Sequence, residues 1–594
     1  MYECNTWQSI DWKTADRQVF KLQKRIYRAN QNGNVKVVHK LQRLLTTSYY
    51  GKLLATRRVT QDNQGKKTAG VDGVKSLTPK QRLEMVKNLK LGNKVKPSRR
   101  VWIPKPNTDE KRPLGIPTMY ERALQALVKL ALEPQWESNF EDNSYGFRPT
   151  RNPHDAIEAI LKSIKQKAKY VLDADIAKCF DKINHDKLLD KLLTYPTLRN
   201  QIKSWLKSGV IDNGELFPTA EGTPQRGVIS PLLANIALHG MELKIKSYAE
   251  TLKGKGSKTN RRDTISLIRF ADDFVILHEN LEVIKECQVI IQDWLNELGL
   301  ELKASKTKIS HTLNKIDGNV GFDFLGFTIR QYPQGKNHSG KNSHGKILGF
   351  KTTITPSKEK IKTHIKKVGD VIRSHKSSPQ SALIKELNPI VRGWSNYYST
   401  VVSKDIFSNC DHKIYLQLKR WAERRHPKKS KSWVTSKYWH TRGNRNWCFS
   451  TKEGNEGFIL RTHAETPIVR HVKVKGEKSL YDGDLIYWSS RLGKHPEVSK
   501  EKATLLKKQK GKCTYCNLFF KDGDLMETDH ITPKSLGGDN SIKNKQLLHR
   551  HCHDDKTAND GSLNRIYDKD SQPEKPCEVK VSRTVLKTSL NREV

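Results

Sequence analysis

A multidomain α+β fold is what the sequence predicts, on three observations. The chain has 594 residues, well beyond the length at which a single hydrophobic core stops growing. Its apolar pattern changes period, with helix-spaced stretches toward both flanks and short strand-like runs between residues 61 and 330. Hydrophobic residues make up 35% of the total, enough to fill several cores, so a wholly disordered chain is excluded.

The elements follow in order. Over 16–54, Val19, Leu22, Ile26, Val37, Val38, Leu41 and Leu45 approximate helical spacing among many basic residues, predicting a basic helical extension over 1–60. Residues 58–72, rich in Lys, Gln, Gly and Thr, read as a loop leading into a mixed α/β region over 61–330. Strand-like runs stand at 101–103, 170–172, 265–277 and 324–329. The stretch QYPQGKNHSGKNSHGK (331–346) has almost nothing apolar, which predicts a linker or flexible hairpin and a domain boundary within 331–350. Ile361, Ile365, Val368 and Ile372 share a helical face, Pro389 starts a segment carrying Ile390, Trp394 and Tyr397, and Ile414, Leu418 and Trp421 continue in a third. These form a small basic helical bundle over 351–450. A segment over 451–505 mixes short strands with charged turns, a compact unit spans 506–565, and 566–594 form a tail.

Charge narrows the function classes. Lysine and arginine outnumber acidic residues 108 to 63, a formal net charge of +45, spread over most of the length, which points to a large polyanionic partner. The chain has no run of about 18 apolar residues, and its polar, aromatic start lacks a signal pattern. No membrane partner and a cytoplasmic location are expected. Of nine cysteines, only Cys513, Cys516 and Cys552 cluster, which suits reduced thiols with one metal site better than a disulfide framework.

The strongest chemical signal is IRFADDFVIL (268–277), where Asp272 and Asp273 interrupt an apolar, strand-forming run. A buried ionised carboxylate is costly unless a cation compensates it, and a divalent metal would do so. The flanking runs are each about a strand long, which sets the pair at a hairpin tip; the bland alternative is an exposed type I′ turn. In YVLDADIAKCFDKINH (170–185) a short strand ends at Asp173 and Asp175, which share one face by the period of two. Two-metal phosphoryl transfer needs hard oxygen ligands converging from separate strands.

DIxxCFD followed downstream by aromatic-Ala-Asp-Asp resembles the palm of a reverse transcriptase. TAGVDGV (68–74), RRVWIPKPN (99–107), KRPLGIPTMYERALQ (111–125), YGFRPTRNPHDAI (145–157), GTPQRGVISPLLANI (222–236), ELKASKTKI (301–309) and FDFLGFTIR (322–330) resemble, in order, the successive blocks of group II intron reverse transcriptases. GWSNYY (393–398), KRWAERRHP (419–427) and SKYW (436–439) resemble their thumb and maturase region. The resemblance implies a right-hand polymerase with fingers and palm over 61–330 and an α-helical thumb. It implies Asp175, Asp272 and Asp273 as ligands of two Mg²⁺ ions, Asp173 and Asp181 being structural or exposed neighbours. It sets Phe180 against the sugar 2′ position, Lys105 and Arg112 on the nucleotide phosphates, and Gln225 against template or nucleotide. Phe270 stands where the family more often has tyrosine. The aromatics between 393 and 439 are expected as helix core rather than RNA platforms, with the Lys and Arg between them on phosphates.

Residues 513–556 combine two chemistries. Cys513, Cys516, His549 and Cys552 form CxxC and HxxC pairs suited to one structural, tetrahedral Zn²⁺, a staple for a unit too small for its own core. Glu527, Asp529, His530, Asn544 and His553 resemble the HNH nuclease signature of a small ββα-type domain. That likeness implies His530 as general base, Asp529 and His553 as holders of one catalytic Mg²⁺, and Asn544 as the residue orienting His530; Glu527 is a weaker candidate. His549 departs from the cysteine such units often carry. The alternative is a zinc ribbon that only binds DNA.

As a whole the chain resembles a bacterial group II intron-encoded protein. Such a protein binds its intron RNA, assists splicing as a maturase, nicks target DNA and copies the intron from dNTPs by target-primed reverse transcription during retrohoming. Residues 451–505 are expected to contact DNA, from their position and charge. The oligomeric state is left open. Two other readings stand beside this one. A splicing cofactor with no active polymerase predicts a broken aspartate set, which the sequence does not have. A standalone retron or defence-type reverse transcriptase leaves the HNH and maturase-like parts unexplained.

Overall fold

The structure, a computed structural model, describes residues 6–92, 94–104, 110–219, 221–222, 227–253, 257–342, 344–451, 457–496 and 498–562, without the Gln64 side chain. Lys105 and Gln225 lie outside the described residues.

Helices Trp12–Gln31, Val35–Thr47 and Tyr49–Arg57 open the chain, and Asp11, Asn34 and Ser48 cap them by accepting from the Thr14, Val37 and Gly51 N–H groups. Their apolar faces, with Val19, Ile26, Val38 and Leu45, are buried in one core with Ala123, Leu127 and Ala131 of helix Met119–Glu137. The basic extension expected over 1–60 is therefore integral to the central core. Strand β1 (Ser98–Pro104) pairs antiparallel with β2 (Lys111–Ile116). The next strand, β3 (Tyr170–Asp175), belongs to a different sheet. Strands β4 (Val210–Asp212) and β5 (Glu215–Phe217) complete the first sheet in the order β2-β1-β4-β5.

Strands β6 (Ser266–Phe270), β7 (Asp273–His278) and β8 (Lys308–His311) join β3 in an antiparallel sheet of order β6-β7-β3-β8. Alternation divides its side chains between two cores. Leu172, Phe274 and Ile276 pack with Ile284, Cys287 and Ile291 of helix Leu281–Asn296. Val171, Val275 and Leu277 pack with Ile157, Ile160 and Ile164 of helix Pro153–Ile164. Helices on both faces leave the strand ends as the reachable part of the sheet.

Strands β9 (Phe322–Phe324), β10 (Phe327–Pro333) and β11 (Phe350–Pro356) make a three-stranded sheet. Of the two forms expected over 331–346, a linker or a hairpin, the structure has the hairpin, in register from Phe327↔Pro356 to Pro333↔Phe350. Backbone pairing needs no apolar side chains, so the polar composition is compatible with both forms. No core boundary falls there either, because Phe327, Ile329 and Ile354 share a core with Tyr397, Tyr398 and Phe407.

Helices Lys358–Ser374, Gln380–Tyr398 and Lys404–Arg425 form the expected bundle around Val368, Leu383, Leu387, Leu418 and Trp421. Pro389 lies inside the second helix rather than starting one; buried Leu387 and Val391 on either side hold the helix across the missing donor. Tyr397 and Tyr398 lie 5.3 and 5.0 Å from the Phe327 ring, so the GWSNYY tyrosines are core. A hairpin of β12 (Trp439–Arg442) and β13 (Arg445–Phe449) follows.

The segment expected to contact DNA turns much of itself inward. Val474, Leu480, Tyr481 and Trp488 pack on Phe20 and Tyr27 of the first helix. Buried Asp155 accepts from His471 Nε2 at 3.0 Å, Arg491 Nη2 at 3.0 Å and the Val474 N–H at 2.8 Å. Arg470 pairs with Glu158. Several of the charges that composition offers to DNA thus face internal carboxylates. The last unit has β14 (Met526–His530) paired antiparallel with β15 (Lys545–His549), followed by helix Arg550–Asn559. It sits on the rest of the molecule through Lys521 Nζ and Asp16 Oδ2, 2.5 Å apart, and through the Thr150 N–H donating to Asp522 Oδ2 at 2.8 Å. No helix among the described residues is long and apolar enough to cross a membrane.

Two candidate metal-dependent sites

The first site is built at one end of the β6-β7-β3-β8 sheet. Phe270 pairs with Asp273, so Ala271 and Asp272 alone connect β6 to β7. Ala271 has φ +59°, which costs a non-glycine residue roughly 1–3 kcal/mol and persists only where surroundings enforce it. Gly146 is part of that enforcement, since a Cβ there would stand 2.3 Å from the Ala271 nitrogen. A type I′ turn needs two positive φ values; only Ala271 of the two has one, which excludes that reading.

Asp175, the last residue of β3, is paired directly with Asp273, and the Ile176 N–H donates to Asp272 O at 3.3 Å. The three aspartates assigned from sequence are therefore brought to one sheet end. Asp173 lies two residues back, opposite Val275 and Lys308, and Asp181 lies in the short helix Cys179–Lys182. Burial, with Asp323 adding to it, pushes the Asp173 carboxyl up to about 7.

The carboxylates are electrostatically poised for a cation. Burial first, then the charges of Asp272 and Asp175, pushes Asp273 up to about 7 from 3.8. Burial and Asp175 also raise Asp272, with Lys306 and Arg112 pulling the other way. Lys306 Nζ stands 2.7 Å from Asp175 Oδ2. Among the described residues the three carboxylates do not form a tight ligand cluster. Oxygen-only donors at a buried strand end suit Mg²⁺ by chemistry.

These shifts carry a pH dependence. A carboxyl raised in the fold stabilises the metal-free protein fully below its unfolded value of 3.8, and this contribution is lost as pH rises through about 7. A divalent ion competes with the same proton. In zinc-containing buffer, added Mg²⁺ is therefore expected to raise the melting temperature more at pH 8 than at pH 6, and Asp273→Asn should shrink that difference. Equal rises at both pH values would contradict the assignment.

Around the aspartates, Phe180 meets Phe147 edge-on with ring centroids 6.0 Å apart. Gly222, first residue of the GTPQRG block, packs so tightly that a Cβ would lie 2.6 Å from Phe180 O. The block that carries Gln225 thus begins beside Phe180. Arg112 sits on β2 opposite Ile103 and acts electrostatically on Asp272. Lys306 stands within ELKASKTKI (301–309), where nothing local marks it as the partner of Asp175. Arg269 does carry a local signal, a charged residue within an apolar strand.

The second site is the β14-β15 hairpin with its helix. Cys513, Cys516, His549 and Cys552 are all buried, with ligand atoms within 4.8 Å of one another, against ~3.8 Å between sulfurs on a tetrahedral zinc. Among the described residues this is the one tight group of three or more metal-ligating side chains. His549 brings its own support: Asp524 Oδ2 lies 3.3 Å from Nε2, leaving Nδ1 toward Cys516 Sγ at 3.4 Å. A carboxylate behind a ligating imidazole fixes its tautomer and ring orientation, so the departure from cysteine comes with the partner that histidine needs.

Asp529 is buried, with Oδ1 3.7 Å from His553 Nε2 and Oδ2 3.1 Å from Lys556 Nζ. Gln546 also donates to Asp529 Oδ2, at 2.8 Å. An oxygen and a nitrogen at that separation can share one divalent ion. His530 Nε2 faces Asn540 Oδ1 at 3.0 Å. The Asn544 side chain does not reach the His530 ring. It accepts from the Thr532 N–H and donates to Thr532 O and Asp539 O, while its backbone carbonyl accepts from Ile531. Asn544 therefore pins the loop after His530, and the contact expected between His530 and Asn544 is made by Asn540 instead. The short polar loop offered no periodicity to distinguish the two asparagines. Glu527, on the same strand, pairs with Leu548 across the hairpin.

Comparison with known proteins gives four family matches along the chain. They are the N-terminal domain of reverse transcriptase over residues 7–89, reverse transcriptase (RNA-dependent DNA polymerase) over 103–329, the group II intron maturase-specific domain over 361–439, and HNH endonuclease over 513–559. The chain is 32% identical to Protein YkfC of Escherichia coli (strain K12) over 328 residues, covering 49% of this chain and 83% of that one. It is 29% identical to the group II intron-encoded protein LtrA of Lactococcus lactis subsp. cremoris, over 57% of this chain and 66% of that protein. Maturase-like protein 1 of Euglena gracilis is 24% identical, over 67% and 78% respectively.

Proposed function

The chain belongs to the group II intron-encoded proteins that join a reverse transcriptase, a maturase domain and an HNH endonuclease, and from that premise we propose how its parts divide one reaction. The protein binds its intron RNA, assists its splicing, nicks a target DNA strand, and extends the new 3′ end by copying the RNA. The observation that carries this reading is the direct pairing of Asp175 with Asp273 beside Asp272, at the open end of a sheet walled by helices. In this reading the β6-β7-β3-β8 sheet is the palm, the β2-β1-β4-β5 sheet belongs to the fingers, and the bundle is the thumb.

Asp175, Asp272 and Asp273 would hold Mg²⁺. Ions held there would supply activation of the primer 3′-hydroxyl and charge neutralisation at the leaving pyrophosphate. Arg112, already within electrostatic reach of Asp272, is suited to triphosphate charge, and Lys105 is assigned with it. Phe180 is assigned to crowd the sugar 2′ position and so reject a 2′-hydroxyl, and Gln225 follows from the block begun at Gly222. Lys306 offsets the charge of Asp175 through its 2.7 Å contact.

In the nuclease, Nε2–H of His530 donates to Asn540 Oδ1, leaving Nδ1 with the lone pair that would take a proton from water. Asp529 and His553 would hold one Mg²⁺, which supplies Lewis-acid stabilisation of the phosphate. Zn²⁺ at Cys513, Cys516, His549 and Cys552 would be structural. The test is reconstitution with intron RNA, duplex target DNA, dNTPs and Mg²⁺. A nick with cDNA covalently joined to its 3′ end is expected; cDNA never joined to the nicked strand would overturn the coupled reading.

A further inference from the structure

Arg269 is the residue that the proposed mechanism leaves without a role. It lies in β6, two residues before Ala271, and is 1% exposed. Burying a guanidinium is expensive unless its hydrogen bonds are met and the geometry rewards it, and a leucine would fit an apolar strand more cheaply. Its partners explain the choice. Nη1 donates to Ala271 O at 3.1 Å and to Asn235 Oδ1 at 3.1 Å, and Nη2 donates to Ser144 Oγ at 2.8 Å. None of these acceptors is a carboxylate; Glu141 and Glu242 offset the charge from farther away.

The three acceptors come from three separate segments: the aspartate turn itself, helix Ser230–Ala237, and the 143–146 stretch. The last two are also tied to one another, because Asn235 Nδ2 donates to Gly146 O at 2.8 Å. Gly146 is the residue whose bare backbone presses on Ala271. The Arg269 main chain closes the assembly, its N–H donating to Asn143 O and its carbonyl accepting from Tyr145, each at 2.9 Å. A flat fork with several fixed donors can bridge such a set, whereas an ammonium cannot.

We propose that Arg269 is a positioning residue for the polymerase: with Asn235 and Ser144 it clamps the strained Ala271 turn, fixing Asp272 and Asp273 in the geometry that Mg²⁺ demands. This rests on the polymerase reading above. Mg²⁺ requires near-ideal octahedral ligation, so a loosened turn should harm Mg²⁺-dependent turnover more than that supported by the larger, more tolerant Mn²⁺.

The experiment is primer extension on an RNA template with the full chain as wild type, Arg269→Lys, Asn235→Ala and Ser144→Ala, in Mg²⁺ and in Mn²⁺, with thermal melts of each preparation. Arg269→Lys keeps the charge and loses the fork. Its kcat with Mg²⁺ should fall on the order of a hundredfold, the loss expected of about 1 Å of misplacement. KM for dNTP should change little, and Mn²⁺ should restore a substantial part of the rate. Asn235→Ala and Ser144→Ala, each of which removes one acceptor of the guanidinium and keeps the others, should show smaller losses with the same Mn²⁺ preference. Wild-type rates in Arg269→Lys, or losses equal in both metals and tracking the melting temperature, would overturn the proposal. A wild-type protein that extends no primer would instead sink the polymerase reading itself.

Discussion

Replacing Asp272 with alanine is expected to reduce RNA-templated primer extension by at least about a thousandfold, ~4 kcal/mol of transition-state stabilisation at 1.36 kcal/mol per tenfold. The carboxylate sits at the hairpin connection, next to the directly paired Asp175 and Asp273, so its removal would take one ligand from the proposed metal set while leaving the strands in register. The loss should not come from unfolding. Burial and the neighbouring Asp175 charge raise Asp272 above the ordinary carboxylate range, meaning that its ionised form opposes the metal-free fold. Asp272→Ala should therefore melt at the same temperature as wild type or higher when Mg²⁺ is withheld, and lose most of the rise that Mg²⁺ gives. DNA nicking should persist, because His530 and Asp529 lie in a separate hairpin. A variant that still copies RNA at more than a few per cent of the wild-type rate would remove Asp272 from the catalytic set.

Replacing His530 with alanine should have the opposite signature. Nicking is expected to fall by about 10²–10⁴, the usual share of a general base, while extension of a pre-annealed primer stays unchanged. The His530 side chain contacts Asn540 at the protein surface, so the stability change should stay within about 0.5 kcal/mol. In the coupled reaction on intact duplex, cDNA joined to target should vanish along with the nick, and supplying a pre-nicked duplex should restore it. That rescue separates a missing primer end from a damaged polymerase. If cleavage persists in His530→Ala, the base lies elsewhere in the hairpin; if the pre-nicked duplex fails to rescue, the two sites do not act in sequence.

Much of the first site was legible because its chemistry violates its surroundings. Two aspartates in an apolar strand run demand explanation, and the turn they predicted is the connection between β6 and β7. The apolar periodicity likewise marked the helices at the start of the chain and in the bundle. Readings failed where side-chain pattern carries no information. The polar stretch at 331–346 left a linker and a hairpin equally open, and backbone pairing, which polar residues satisfy as well as apolar ones, decided for the hairpin and against a domain boundary there. Pro389 reads as a helix start by propensity, yet packing of Leu387 and Val391 carries the helix through it. Asn540 and Asn544 are four residues apart in a loop, and only coordinates distinguish the one that touches His530 from the one that pins the loop.

The sequence by itself determined which side-chain types stand at short spacing: carboxylates inside an apolar strand run, a Cys and His set at metal-ligand spacing, a histidine beside an aspartate in the HNH-like stretch, and an excess of basic residues. These follow from side-chain type and short spacing, which are local properties. Only the tertiary structure decided what supports them. Arg269, Asn235, Ser144 and Gly146 meet at one turn from three distant stretches, Asp524 backs His549, and His471, Arg491 and Arg470 of the 457–496 segment pair with Asp155 and Glu158. Each of these depends on residues far apart in the chain coming within hydrogen-bonding distance. A hydrogen bond acts over about 3 Å, and sequence order does not fix which distant groups will come that close.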